Sequence, residues 1–295
     1  MSDKRYALGI DGGGTKTAFT LVDEAGEVVS SFVLPGSSFD AYSLEEIKSR
    51  FLEAKARLPY MPDAIFAGIG GILGEKTINL CKTLLNEVFP GAKADADNDV
   101  VNALYGLSPE GKGIILIAGT GSVAYGECEG KRARSGGYCY QEGDLGSSYD
   151  VGRKALQYFG KALDGREAES PLFEEMKEKL GFDDAVSFAS YMESASRSEI
   201  ASFSRMVTAH EEEVSAQDIL LHAAKEVFLM VKAVYSRLDP KGDIPFAIIG
   251  GLGNAKSVYR STLLSLIKER LPYLKLSKKE IDASLGAANK ARSNL

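Results

Sequence analysis

The stretch LGIDGGGTKTAFTLVDEAGE, residues 8–27, decides how the chain is read. An apolar run ends in Asp11, the glycines Gly12, Gly13 and Gly14 follow with Thr15, Lys16 and Thr17, and an alternating β-branched segment then begins. Locally this is two strands joined by a glycine turn. Glycine has no Cβ, so its backbone N–H groups can close on a ligand, and a row of them forms a concavity suited to phosphate. Two familiar phosphate motifs do not fit. The P-loop needs its last glycine directly before Lys, at a helix start, but Thr15 separates Gly14 from Lys16 and a strand follows. The dinucleotide pattern G-x-G-x-x-G has Thr17 where its third glycine belongs. A phosphate loop at a hairpin bend remains, with more glycine than a tight turn needs. Asp11 at its mouth would repel bare phosphate. It makes sense beside hydrated Mg²⁺, which binds through one or two carboxylates together with nucleotide phosphates.

Outward from this turn, residues 6–10, 18–22 and 28–33 read as an antiparallel meander. SLEEIKSRFLEAKARL is a helix opened by Ser43 and Glu46 at capping-box spacing and stopped by Pro59. AIFAGIGGI is a buried strand entering a glycine turn, and KTINLCKTLLNEVF is a second amphipathic helix. GIILIAGTGSVAYGECEGKRAR then repeats the opening design of strand, glycine turn, strand and turn, so two halves are built on one plan. Residues 147–238 are mostly helical, IPFAIIGGLGNA is one more strand ending in glycines, and DASLGAANKAR is a closing helix. The expected class is α/β in two domains: residues 1–112, joined by the helix of about 280–295, and residues 113–279 with helical insertions.

At 295 residues, 44% hydrophobic and 26% charged, the chain has the composition of a globular protein. A net charge of −6 argues against nucleic-acid and membrane-surface partners, and the cluster Lys131, Arg132, Arg134 reads as a solvated edge. The amino terminus lacks a signal-peptide core, and no apolar run nears the roughly 18 residues of a membrane span. Cys81, Cys128 and Cys139 include no C-x-x-C, so neither a disulfide framework nor a zinc site is expected. The expected setting is cytoplasmic.

Two more glycine turns follow strands. Gly119, Thr120, Gly121 and Ser122 form a small hydroxyl-bearing turn, and Gly250, Gly251, Gly253 and Asn254 offer bare backbone to something flat, such as adenine. Together with Asp11-Gly-Gly-Gly-Thr-Lys-Thr and GGYCYQEGDLGSSYDVGRKA, these motifs resemble the N-acetylglucosamine kinase branch of the sugar kinase/Hsc70/actin superfamily, within the BadF/BadG/BcrA/BcrD ATPase grouping. The resemblance runs from Gly9 to the turn at residues 284–288. It implies two RNase H-like (actin-like ATPase) domains with a nucleotide cleft between them, closing over the substrate. ATP and Mg²⁺ are the implied cofactors, with contacts at Asp11, at residues 12–17 including Lys16 and Thr17, and at the two later glycine turns.

Such kinases use a carboxylate at a helix start to accept the proton of the attacking hydroxyl. The candidates are Asp95, Asp97 and Asp99; spacing to Gly119 favours Asp99, with Asp97 next. Gly136, Gly137, Gly143, Asp144 and Gly146 match the sugar-contacting segment of the family, with Leu145 where a second carboxylate is usual and Glu142 nearby. Ser38 or Asp40 stands where an asparagine commonly meets the sugar. The implied activity is phosphorylation of the 6-hydroxyl of N-acetylglucosamine or N-acetylmuramic acid. A glucosamine kinase, using Asp40 or Glu142 near the free amine, is the close alternative. An iron–sulfur activator ATPase would need Cys128 and Cys139 in a cluster setting, and a sugar-sensing regulator would not need Asp11 and Asp99. His210 and His222 receive no catalytic role. The long helices of the second half permit a homodimer.

Overall fold

The computed structural model describes residues 4–295. The chain forms two units, one running to Gly113 and resuming at Ser277, the other spanning Ile114–Leu276. In the first, β1 (Tyr6–Gly12), β2 (Lys16–Asp23) and β3 (Val28–Pro35) are the antiparallel meander, with Asp11 opposite Ala18 and Gly12 opposite Thr17. α1 (Leu44–Arg57) follows, its first turn closed by the reciprocal Ser43–Glu46 capping box, a device that stabilises by about 1 kcal/mol. Ile47, Phe51 and Ala54, spaced four and three apart, form its buried face, and Phe51 meets Phe19 edge-on at 6.5 Å. β4 (Ala64–Ile69) is buried throughout, α2 (Glu75–Val88) packs on α1, and β5 (Lys93–Asp97) leads into the fully buried α3 (Val100–Leu107). The strand order is β3-β2-β1-β4-β5, with β4 parallel to both β1 and β5. The buried thiol of Cys81 has its pKa pushed up to about 12 by desolvation, which makes it an inert core residue.

The second unit repeats this order. β6 (Gly113–Ala118), β7 (Ser122–Cys128) and β8 (Lys131–Gly136) are followed by an all-helical insertion: α4 (Ser148–Leu163), α5 (Pro171–Leu180), α6 (Ala185–Ser194), α7 (Arg197–Ser202), α8 (Ser204–Ala209) and α9 (Val214–Leu238). Then come β9 (Ile244–Ile249), the single turn α10 (Gly251–Asn254), α11 (Val258–Arg270) and β10 (Leu274–Leu276). The sheet runs β10-β9-β6-β7-β8, with β9 parallel to β6 and β10 and β8 antiparallel to β7. Within each unit the third, second, first, fourth and fifth strands lie side by side in that order. α9 lays an apolar stripe including Leu220, Ala224, Val227, Val231 and Val234 onto β7 and β8. Lys131, Arg132 and Arg134 fall on β8, the edge of this sheet, where cations discourage addition of a foreign strand.

The chain then returns to the first unit as α12 (Ala283–Arg292), which lies on β1, β4 and α3. The approach is backbone to backbone: a Cβ on Gly9 would stand 2.1 Å from the Ala288 amide nitrogen and 2.4 Å from the Ser284 carbonyl oxygen. Beside it, the hydroxyls of Thr20 and Ser284 are hydrogen-bonded at 2.8 Å. β5 is one element sequence patterning passed over, because Lys-Ala-Asp-Ala-Asp is built from residues depleted in strands. Its parallel pairing with β4 makes it a strand all the same.

Candidate active site

β1, β4 and β5 are parallel, so their carboxyl ends (Gly12, Ile69 and Asp97) open onto one edge of the first sheet, the edge where open α/β sheets bind ligands. Asp11 sits there. Asn102, fully buried on α3, donates from Nδ2 to Asp11 Oδ1 at 2.7 Å and to the Gly68 carbonyl at 2.9 Å. Burial pushes the Asp11 carboxyl up to about 6, the Asn102 hydrogen bond works against that shift, and nearby Asp99 adds to it. A carboxylate kept from water beside another carboxylate is stabilised by a cation. Among the described residues no group of three or more His, Cys, Asp or Glu side chains is arranged to hold a metal. Asp11 is the one carboxylate at the mouth of the glycine turn that could take part in holding such an ion.

The turn from β1 to β2 is closed by the Gly13 amide donating to the Lys16 carbonyl at 2.9 Å. The next three carbonyls are occupied by the loop of residues 36–42. Gly13 O accepts from the amides of Ser37 (3.0 Å) and Ser38 (3.2 Å), and Thr15 O accepts from Gly36 (3.1 Å). Gly14 O accepts from the hydroxyl of Tyr42 at 2.7 Å. Among the described residues the amides of Gly14 and Thr15 donate to no protein acceptor, and both residues are exposed. Gly12 is buried against Ser37 and Ile69, and Lys16 is exposed at the start of β2. Thr17 is fully buried, its hydroxyl 3.0 Å from the Pro35 carbonyl and 2.8 Å from Ser37 Oγ, so it fastens the 36–42 loop to the turn.

Gly70, just past β4, is where four segments meet. Its amide donates to Gly12 O at 2.8 Å, and its carbonyl accepts from the Phe39 amide at 2.9 Å and the Ser38 hydroxyl at 3.2 Å. A Cβ built on it would lie 3.3 Å from Ser38 Oγ and 3.7 Å from Asp99 Oδ2. Ser38 and Asp99 thus border one small space beside Gly70, and Asp99 is near enough to Asp11 to raise the pKa of its carboxyl. Asp99 holds the N-cap position of α3, yet its side chain makes no capping bond. Asp97 ends β5 and accepts the Asn98 amide at 2.7 Å, while Asp95 pairs with Lys82 at 3.3 Å. Asp40 packs against Gly71, whose φ of +83° permits that turn.

In the second unit the turn after β6 repeats the pattern. The carbonyls of Gly119 and Thr120 accept from the first amides of α4, Ser148 at 2.8 Å and Tyr149 at 3.3 Å. A Cβ on Gly119 would lie 3.7 Å from the Cα of Gly250; Gly250 has φ +110° and is pressed on the Ala118 carbonyl, a place only glycine fills. A cavity of about 550 Å³ opens here, lined by Gly119, Thr120, Gly251 and Ala255 and by Ser204 and Arg205 from α8. That is an ordinary size for a small-molecule site. Gly253 is buried against Ile248, and the Asn254 amide is spent on the Ile248 carbonyl (3.2 Å) and Arg260 (3.0 Å), closing α10.

Asp144 is almost wholly buried beneath this turn, ion-paired with Arg197 of α7 and accepting the Ser122 amide at 3.3 Å. Gly136 and Gly137, with φ of +77° and +67°, end β8 against Met230 and Val123. Gly143 donates to the Cys139 carbonyl at 2.7 Å, and Gly146 donates to Asp150 at 2.9 Å. Cys128 is buried and Cys139 exposed. Sequence patterning put Gly70 in a glycine turn without a role, and gave no role to Asn102 or Tyr42, nor to the hydroxyls and Arg205 from the helical insertion. None of these stands in a motif; each reaches its place through tertiary packing. Among the described residues no helix is long and apolar enough to cross a membrane.

The chain is 29% identical over 303 residues to the N-acetylmuramic acid/N-acetylglucosamine kinase of Clostridium acetobutylicum, covering 98% of this chain and 99% of that protein. It is 28% identical over 311 residues to the N-acetyl-D-glucosamine kinase of Dictyostelium discoideum, covering 97% of each. Its fold is similar to the crystal structure of a candidate N-acetylglucosamine kinase from Chromobacterium violaceum, with a TM-score of 0.73 at 24% identity over 96% of this chain and 98% of that one. Residues 8–291 match a single family across both units, and the chain belongs to the BadF/BadG/BcrA/BcrD ATPase family.

Proposed function

We propose that the protein is an ATP-dependent kinase that phosphorylates the 6-hydroxyl of an amino sugar, N-acetylglucosamine or N-acetylmuramic acid or both. The observation that carries this is the convergence of Asp99 and Ser38 on Gly70, with Asp99 near enough to Asp11 to raise the pKa of its carboxyl. Asp99 stands at a helix start and borders the space beside Gly70, which supports reading it as the general base for a hydroxyl group. The kinases of C. acetobutylicum and D. discoideum supply the sugar class.

In this reading Asp99 takes the proton of the sugar hydroxyl as its oxygen attacks the terminal phosphoryl group of ATP. The amides of Gly14 and Thr15 stabilise phosphate charge, and Ser38 borders the sugar. The nucleoside is assigned to the cavity beside Gly119 and Gly251. Mg²⁺ held by Asp11 would neutralise charge on the transferring group. Asn102 fixes the orientation of that carboxylate. Asp144 buttresses the Gly119 turn through its bonds to Ser122 and Arg197.

The direct test is ADP release measured over glucosamine, N-acetylglucosamine and N-acetylmuramic acid. Turnover dependent on an N-acetylated sugar is expected; dependence on glucosamine alone selects the sister activity, and ATP hydrolysis indifferent to every sugar removes the kinase assignment. A narrower prediction concerns Gly70→Ala. Its methyl enters the space between Ser38 and Asp99, with no positive φ to add backbone strain. Sugar kcat/KM should fall roughly 10-fold or more, because small displacements of a reacting group are costly, while ATP affinity stays near that of the parent. Unchanged sugar kinetics would show that the sugar lies elsewhere.

A further inference from the structure

We propose that Tyr42 is a positioning residue for the phosphate tail of ATP: by holding the Gly14 carbonyl, it turns the Thr15 amide toward the phosphate. This rests on the reading of residues 12–15 as the phosphate loop and adds to it the device that aims the loop.

A trans peptide carries its C=O and N–H on opposite sides. Whatever holds a carbonyl therefore also sets the direction of the amide that follows it. The Gly13 carbonyl is held by the amides of Ser37 and Ser38, which faces the Gly14 N–H away from the 36–42 loop. The Gly14 carbonyl is held by the Tyr42 hydroxyl at 2.7 Å, which faces the Thr15 N–H the same way. Two successive amides then point to one side, the arrangement that binds an anion. Gly13 and Gly14 have no Cβ to resist turning about φ and ψ, so the loop does not aim itself. Of the groups from the 36–42 loop that hold these carbonyls, Tyr42 alone acts through a side chain.

Tyr42 is itself well anchored. Its amide donates to the Ser38 carbonyl at 3.1 Å, and the capping box of α1 begins at the next residue. The Arg50 guanidinium lies 3.8 Å from the centroid of its ring, packed closely enough to leave Arg50 Nη1 buried with no hydrogen-bond partner. That cation–π contact orients the ring and does not depend on the hydroxyl. Tyr42→Phe therefore removes the single hydrogen bond and keeps the packing.

The test compares ATP with adenosine, because the nucleoside cavity belongs to the second unit and Tyr42 to the first. For Tyr42→Phe, binding of ATP should weaken roughly 5- to 20-fold, the range expected for one hydrogen bond that preorganises a charged contact. Adenosine binding should stay within about twofold, and KM for the amino sugar should move much less than KM for ATP. Ser43→Ala, which loosens the same helix start without touching the hydroxyl, should leave the ratio of ATP to adenosine affinity unchanged. Equal weakening of ATP and adenosine in Tyr42→Phe, or no weakening of either, overturns the proposal. A parent protein that binds adenosine but gains nothing from the phosphates overturns the underlying reading of residues 12–15 instead.

Discussion

Asp99→Asn is expected to fold as the parent does, to bind ATP with near-parental affinity, and to lose at least about 10²-fold in sugar-dependent turnover, the low end for removal of a general base. Asparagine keeps the size of the side chain and is as good an N-cap as aspartate, so α3 has no reason to fray. What it lacks is a basic oxygen for the hydroxyl proton. Asp97→Asn is the control: that residue ends β5 with its carboxylate on the Asn98 amide, and the expected loss is less than tenfold. A coupled ADP-release assay measures the turnover, and an ATP-induced shift in melting temperature shows that the nucleotide still binds. If Asp99→Asn turns over within a few-fold of the parent while Asp97→Asn does not, the base has been assigned to the wrong carboxylate.

Gly9→Ala should produce a large loss of stability from a single methyl group at the first sheet. The added carbon would meet Ala288 N at 2.1 Å, Ser284 O at 2.4 Å and Ala287 C at 2.7 Å, all of them backbone. No side chain can swing aside, so α12 has to lift from β1. Overpacking of this kind sits at the upper end of its usual range, about 3 kcal/mol. For a domain of this size that is a fall of roughly 6–12 °C in Tm. Gly14→Ala makes the contrast, since a Cβ there meets nothing within 4 Å; its Tm should be unchanged within error. A Gly9→Ala protein that melts with the parent would mean the contact between α12 and β1 is looser than it stands here.

What was legible in the sequence was whatever is written locally. The hairpin around Asp11 shows because strand alternation and a run of glycines are both short-range signals. The cap of α1 shows because Ser43 and Glu46 must be three residues apart to bond reciprocally. The duplicated plan shows in the recurrence of a strand, a glycine turn and a second strand. β5 did not show, because its strand character comes from β4 beside it. Gly70 looks like one more loop glycine until Gly12, Phe39, Ser38 and Asp99 are seen to surround it. Asn102 reads as an ordinary helix residue, although its amide spans from α3 to β1 and β4. Asp144 stands in a stretch that looks like sugar-binding sequence, and only the fold shows Arg197, brought in by a distant helix, across from it.

The seating of α12 on β1 and β4 carries a consequence for how the chain is made. Synthesis delivers the first sheet early, but the helix that covers it emerges only after every residue of the second unit has been built. Domains ordinarily mature in the order they leave the ribosome. Here the earlier one must wait, with one side of β1 bare, while the later one completes itself. A chain cut before Ala283 would thus carry every residue of the second unit and lack the helix that covers one side of the first sheet.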